Sequence, residues 1–262
     1  MRIGWLADSV GALRGGAEIS SDTLVAAAPP GVEIVMCPPG HIAEDVDMYA
    51  ILNCTTYDAS IIPVLSRRPV VKSVRDQWTF GDDELRSWLL DNAALTVFNS
   101  PIHRYWFMYP VNTPVEVVPP PIDLERFRMA ARESTEREGV LWLGAMHRHK
   151  GVLEAVHWAR RHKVVVDFIG NGTCIPGSEK YVHYRGVIPY DDVPQTMARY
   201  ERFLYLPRVL DGFARTVPEA WAAGCELVTG DMVGSMWWIS NRPQDLERGA
   251  EMFWGAVKGC VE

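Results

Sequence analysis

The sequence predicts an α/β protein made of two nucleotide-binding-type domains, each with a parallel sheet, and three observations carry that expectation. Short apolar runs alternate with longer helix-like segments along the chain. The runs are near-continuous in Val, Ile and Leu, as strands buried on both faces should be. A proline-led, charged stretch, PPPIDLERFRMAARESTERE at 119–138, interrupts the alternation midway through the 262 residues. A chain of that length exceeds one typical domain.

In chain order, strands are expected at residues 2–6, 33–37, 49–53, 70–74, 95–99 and 115–118. After the interruption they resume at 139–143, 164–169, 182–185, 203–206 and 226–229. Between them lie helical segments such as 17–28, 83–93, 151–162, 190–200 and 217–223. A closing helix, 244–258, carries Leu246, Ala250, Phe253, Trp254 and Val257 at helical spacing and is long enough to pack across both halves. The expected division is an amino-terminal domain 1–120, a linker 121–138, a carboxy-terminal domain 139–243 and the closing segment 244–262. Ligands of open parallel sheets sit beyond the carboxyl ends of the strands, so a cleft between the domains would be lined by the loops that follow them.

Composition narrows the class. The formal net charge of −7 is uneven: residues 1–125 hold 8 Lys/Arg against 16 Asp/Glu, and residues 126–262 hold 18 against 17. An acidic first half argues against general electrostatic binding of nucleic acid or anionic membrane, without excluding a local basic groove. The five cysteines are widely spaced and form no C-x-x-C pair, which fits reduced thiols in a cytoplasmic protein. The opening MRIGWLADS lacks a signal peptide's long apolar region, and no run approaches transmembrane length. Ten tryptophans are many for such a chain; core packing is the preferred reading over stacking platforms for a sugar or base.

Five strand-end loops carry the candidate chemistry. Gly15–Gly16 precede a helix, where free amides can face an anion. In LWLGAMHRHKGV, Gly144 ends a strand and Lys150 opens the next helix, placed to reach a diphosphate. His147 and His149 lack a third ligand and argue poorly for a metal. FIGNGT (168–173) and YRGVIP follow two further strands, and the main chain of Gly186 and Val187 is a candidate reader of a base edge. The fifth loop, DGFARTVPEAWAAGC, sets Asp211 and Glu219 eight positions apart around a helix start. Pro218 suits the first turn, and Glu219 there favours the helix dipole. The amides of Arg215, Thr216 and Val217 are expected to meet a diphosphate, Glu219 the ribose hydroxyls and Asp211 the sugar.

These motifs resemble those of GT-B glycosyltransferases of the large retaining family four, over nearly the whole chain. RGGAE is similar to the family's glycine loop, VVPPPIDLERF to its V-I-P-N-G-V-D-x-x-R-F linker, and LGAMHRHKG to G-R-L-x-x-x-K-G. DGFARTVPEAWAAGC resembles the most specific signature, E-G-F-G-x-x-x-x-E-A-M-A-C-G. The resemblance implies two Rossmann-like domains facing a central cleft and metal-independent transfer of a hexose from a nucleoside diphosphate sugar with retention. It assigns Lys150 to the diphosphate, Glu219 to the ribose and Asp211 to the hexose, with Gly16, Thr216 and Val217 lining phosphate and sugar. No cofactor or metal is then expected, and the acid pairs Asp82–Asp83 and Asp191–Asp192 are read as helix caps.

Three positions depart from the pattern. Ala145 stands where the family has arginine, leaving Arg148 or Arg215 to supply a second cation. Arg75, in VRDQW, stands where a catalytic histidine often falls, and Asp211 replaces glutamate. The missing methylene draws that carboxylate back by ~1.5 Å.

For the acceptor, a soluble glycan or small molecule is the preferred reading, with a UDP-sugar as donor and a monomer or weak dimer as the working form. The acidic first half and the aromatic IHRYWFMY (102–109) disfavour a lipid. Trp78, Arg75 and Asp76 are the candidate acceptor residues; an alternative acceptor is a hydroxymethylated base in DNA, for which Arg67, Arg68, Lys72 and Arg75 would form a basic group and Trp78 and Trp106 would stack. A further alternative is a nucleotide-binding or interaction protein without catalysis. A dinucleotide-dependent enzyme lacks support, since no G-x-G-x-x-G follows a strand.

Overall fold

The β-branched runs form strands throughout, and all eleven expected strands are present in a computed structural model that describes residues 1–8, 15–75 and 80–260. The chain divides into two compact units, Met1–Ile122 with Arg242–Glu262, and Asp123–Asn241.

The first unit runs β1 (Arg2–Leu6), α1 (Gly16–Ala26), β2 (Glu33–Met36), β3 (Met48–Ile51), α2 (Ile62–Leu65), β4 (Val70–Val74), α3 (Asp83–Asn92), β5 (Leu95–Phe98), α4 (Pro101–Trp106) and β6 (Val115–Val117). Its six strands are parallel, in the order β2-β1-β3-β4-β5-β6. Strand alternation sends Ile3, Trp5, Met48, Ala50, Val71 and Val97 into one core cluster and Leu6, Tyr49, Ile51, Val70, Val74 and Phe98 into another. The ends of the helices are set by short polar side chains: Asp82 accepts from the Leu85 amide at 2.6 Å and Ser100 from the His103 amide at 3.0 Å. Beyond β1, buried Asp8 accepts from the amides of Thr55 and Thr56 at 2.9 and 3.0 Å and from both hydroxyls, which ties two strand ends together.

The second unit runs α5 (Leu124–Glu133), β7 (Val140–Leu143), α6 (Val152–His162), β8 (Val166–Ile169), β9 (Val182–Gly186), α7 (Val193–Ala198), β10 (Arg202–Tyr205), α8 (Thr216–Ala222), β11 (Glu226–Thr229) and α9 (Ser235–Asn241). The five parallel strands order β11-β10-β7-β8-β9.

Three expectations change. The segment expected to be a linker carries α5, whose Leu124, Phe127 and Ala130 are buried against α7 and α8. Those three residues lie three apart on one helical face, and the charges that suggested a linker, Glu125, Arg126, Arg128, Arg132 and Glu133, lie off it. The closing helix is shorter, α10 (Gly249–Lys258), after a 3-10 stretch Pro243–Arg248, and it belongs to the first unit. Its Phe253, Trp254 and Val257 complete the core around Ile3 and Trp5, and Trp254 donates to the Leu24 carbonyl at 3.0 Å. Residues 190–200 are not one helix, because a 3-10 turn at Tyr190–Asp192 precedes α7, where Pro194 stands in the first turn. Asp191 and Asp192 therefore cap nothing with their side chains, whereas Asp82 caps α3 as expected.

Candidate active site

In the second unit β7 and β10 lie side by side, so the loops leaving their carboxyl ends are neighbours. A glycine lets them touch. Gly151 adopts a left-handed conformation (φ 81°), and a Cβ there would stand 1.8 Å from the Leu206 carbonyl oxygen. The Arg208 amide donates to the His149 carbonyl at 3.0 Å across the same junction. Lys150, at the end of the 3-10 turn Arg148–Lys150, is thereby carried to Asp211, with Nζ 2.7 Å from Oδ2.

Asp211 is only 8% exposed and fully engaged. Its Oδ2 also accepts from the Tyr205 hydroxyl at 2.6 Å, and its Oδ1 accepts from the Phe213 amide at 3.3 Å. Burial alone would push this carboxyl up, but the Lys150 charge and the hydrogen bonds from Lys150, Tyr205 and Phe213 hold it below the usual aspartate range. Burial and the adjacent carboxylate push the Tyr205 hydroxyl well above its ordinary value, so it remains a neutral donor.

Glu219 has a parallel set of partners. Its Oε1 accepts from the Tyr190 hydroxyl at 3.0 Å and from Arg215 Nη2 at 3.4 Å, while Arg215 also donates to the Tyr190 oxygen at 3.3 Å. Arg126, on α5, lies 5.0 Å from the Tyr190 ring centre and bonds Asp191 at 3.3 Å. Burial raises the Glu219 pKa, against the lowering charge of Arg215 and the hydrogen bonds of Tyr190 and Arg215. Tyr190 itself is pushed up to about 12, chiefly by burial. Each of the two acids thus meets one cation and one tyrosine.

The remaining expected residues fare unevenly. α8 starts at Thr216 as expected, but the Val217 amide donates to the Ala214 carbonyl at 3.1 Å and is not free for a phosphate. Thr216 keeps an amide without a hydrogen-bond partner among the described residues. Gly144 donates its amide to Ile169 at 3.1 Å, and Arg148 is exposed. Gly186 ends β9, its carbonyl accepting from the Gly170 amide at 2.8 Å, and Val187 beside it is exposed. His147 stacks on His149 with centroids 5.6 Å apart and contacts the Thr173 hydroxyl at 3.2 Å. Among the described residues no three His, Cys, Asp or Glu side chains converge as metal ligands.

The first unit holds the rest. Gly16 opens α1, and its carbonyl accepts from the Ser20 hydroxyl at 2.8 Å. Arg75 follows β4, accepts the Asn99 side-chain amide on its carbonyl at 2.9 Å, and lines a small cavity with Ser73, Asn99 and Phe253. Asp76 and Trp78 lie outside the described residues. The expected basic group does not form as a surface: Lys72 is fully buried, donates to the Leu52 carbonyl and sits 3.6 Å from Cys54 Sγ, and burial pushes its pKa down. Trp106 is exposed at 59%.

Tyr190, Tyr205 and Arg126 were not found from the sequence. Tyr205 ends β10 and Tyr190 follows the β9 loop, positions that a search of strand ends for hydroxyls as well as charges would have flagged. Arg126 lay in the segment read as a linker.

Two parallel-sheet α/β domains of this kind give the chain the GT-B fold, as the motifs implied. It is similar to HepE of Anabaena, solved with UDP and glucose, with a TM-score of 0.65 and 15% identity over 99% of this chain and 96% of that one. AviGT4, a glycosyltransferase involved in avilamycin A biosynthesis, gives 0.63 at 15% identity over 95% and 88% of the two chains. WaaG, a glycosyltransferase involved in lipopolysaccharide biosynthesis, gives 0.59 at 14% identity over 100% and 94%. No protein-family model matches the chain, and no curated protein sequence matches it.

Proposed function

We propose that the protein is a glycosyltransferase that moves a hexose from a nucleoside diphosphate sugar, preferentially a UDP-sugar, to a hydroxyl acceptor with retention and without a metal. The observation that carries this reading is the pairing of two buried acids, eight residues apart, with Lys150 and Arg215 at the strand ends of one parallel sheet. The complexes of HepE with UDP support the nucleotide, in that protein.

Lys150 is the group that would exchange Asp211 for a diphosphate oxygen, leaving Asp211 to accept from a hexose hydroxyl. Arg148, exposed on the same turn, supplies the second cation that Ala145 cannot. Charge developing on the leaving diphosphate is then met by fixed cations already in position, which is where electrostatic catalysis is strongest. Glu219 would accept from the ribose through the oxygen that Tyr190 and Arg215 do not use.

A soluble glycan or small molecule remains the preferred acceptor. No helix among the described residues is long and apolar enough to cross a membrane. The modified-DNA alternative loses Lys72 to the core.

The test is a donor-hydrolysis panel of UDP-, GDP- and ADP-sugars, run beside calorimetry with each nucleotide and followed by an acceptor screen. Absence of binding to every nucleotide would sink the proposal. Activity should persist in EDTA, and loss on chelation overturns the metal-free step. Lys150→Ala should weaken diphosphate binding by ~1.5–3 kcal/mol, the range for a charge-assisted contact.

A further inference from the structure

We infer that Arg215 and Tyr190 are positioning residues for nucleotide recognition: together they hold one oxygen of Glu219 and leave the other to accept from the ribose. The inference rests on the donor-site reading above and deepens it by giving Arg215 and Tyr190 a defined task at Glu219. Arg215 occupies one of the variable positions of the signature, so the motif does not call for it.

The geometry is specific. Two separate elements reach one carboxylate, Arg215 from the residue before α8 and Tyr190 from the turn after β9, and Arg126 on α5 lies over the Tyr190 ring. Both hydrogen bonds end on Oε1, and among the described residues none reaches Oε2. Glu219 and the Arg215 side chain are 2% and 9% exposed, so the pair is held nearly out of water. An apolar side chain at 215 would avoid the cost of burying a guanidinium. The arginine's contribution is therefore to the charge of Glu219 rather than to packing.

That charge matters because an ionised carboxylate presents only acceptors, whereas a protonated one gives up acceptor capacity to an O–H. Burial favours the protonated form, and the facing groups that oppose it are Arg215, Tyr190 and the more distant Arg126. The sign follows directly. Nucleotide affinity should be full above the Glu219 pKa and fall as pH drops through it. Removing Arg215 raises that pKa and moves the loss to higher pH.

The experiment is calorimetry with UDP across about pH 5–9, a span that brackets the ordinary carboxylate and histidine ranges, on the wild type, Arg215→Leu, Arg215→Lys and Tyr190→Phe. Arg215→Leu should shift the acid limb upward by about one unit or more, the size of effect of a nearby opposite charge. Its affinity at neutral pH should fall about tenfold. Arg215→Lys should restore the wild-type limb, because it restores the charge. Tyr190→Phe should weaken affinity about fivefold and move the limb less than Arg215→Leu. An unmoved limb in Arg215→Leu, or a lysine variant as shifted as the leucine one, overturns the inference while leaving the donor site standing. A wild type that binds no nucleoside diphosphate overturns both.

Discussion

Asp211 stands where the related signature has glutamate, and two donors meet its shorter reach, Lys150 Nζ at 2.7 Å and the Tyr205 hydroxyl at 2.6 Å. Because its folded pKa is depressed, the carboxylate contributes stability that is present above the unfolded value of about 3.9 and lost as pH falls through the lower folded one. Asp211→Asn should therefore cost about 1.5–3 kcal/mol at neutral pH in urea unfolding. The gap from the wild type should close below about pH 4, and a gap that persists there would assign the loss to shape rather than charge. In a kinetic assay the same variant should lower turnover more than donor affinity. The residue types at 150, 211 and 219 were legible as a candidate site because acids and lysine follow strand ends. Tyr205 and Tyr190 were not, since a tyrosine at a strand end reads equally well as core until its hydroxyl is placed.

At the scale of elements, the junction between the 3-10 turn and α6 decides where Lys150 goes. Gly151→Ala would force a Cβ into the space of the Leu206 carbonyl and strain a left-handed backbone. It should lower stability by more than about 1 kcal/mol and raise the UDP dissociation constant by displacing Lys150. Wild-type affinity in that variant would show that the junction does not set the lysine. The strands were readable because runs such as VVKSV and MYAI are buried on both faces, where alternation is not needed. α5 was not, because only three apolar positions mark its buried face and three of the four residues between them are charged. The buried Lys72 in the centre of β4 shows the reverse error, a charge in the sequence that belongs to the core.

Across the molecule, the second unit is continuous in sequence and the first is closed by residues from the far end of the chain. Phe253, Trp254 and Val257 are each no more than 3% exposed. Burying a large apolar side chain contributes about 1.5–3 kcal/mol, so losing all three approaches the whole stability of a typical domain, ~5–15 kcal/mol. Truncation after Asn241 should leave the first unit without fixed tertiary structure, seen as loss of near-UV circular dichroism and rapid proteolysis within residues 1–122. Residues 123–241 expressed alone should retain a protease-resistant fold, and their failure to do so would show that the second unit needs the first.

The sequence by itself determined the two parallel α/β units, the positions of all eleven strands and the loops that hold the candidate site, because buried strands and glycine-marked turns leave local patterns. Only the tertiary structure decided which side chains meet. Lys150 reaches Asp211 because β7 and β10 are neighbours and Gly151 lets their loops touch, and Tyr190 reaches Glu219 across 29 residues of chain. Such pairings depend on strand order and on distances of a few ångströms, which residue spacing along a chain does not encode.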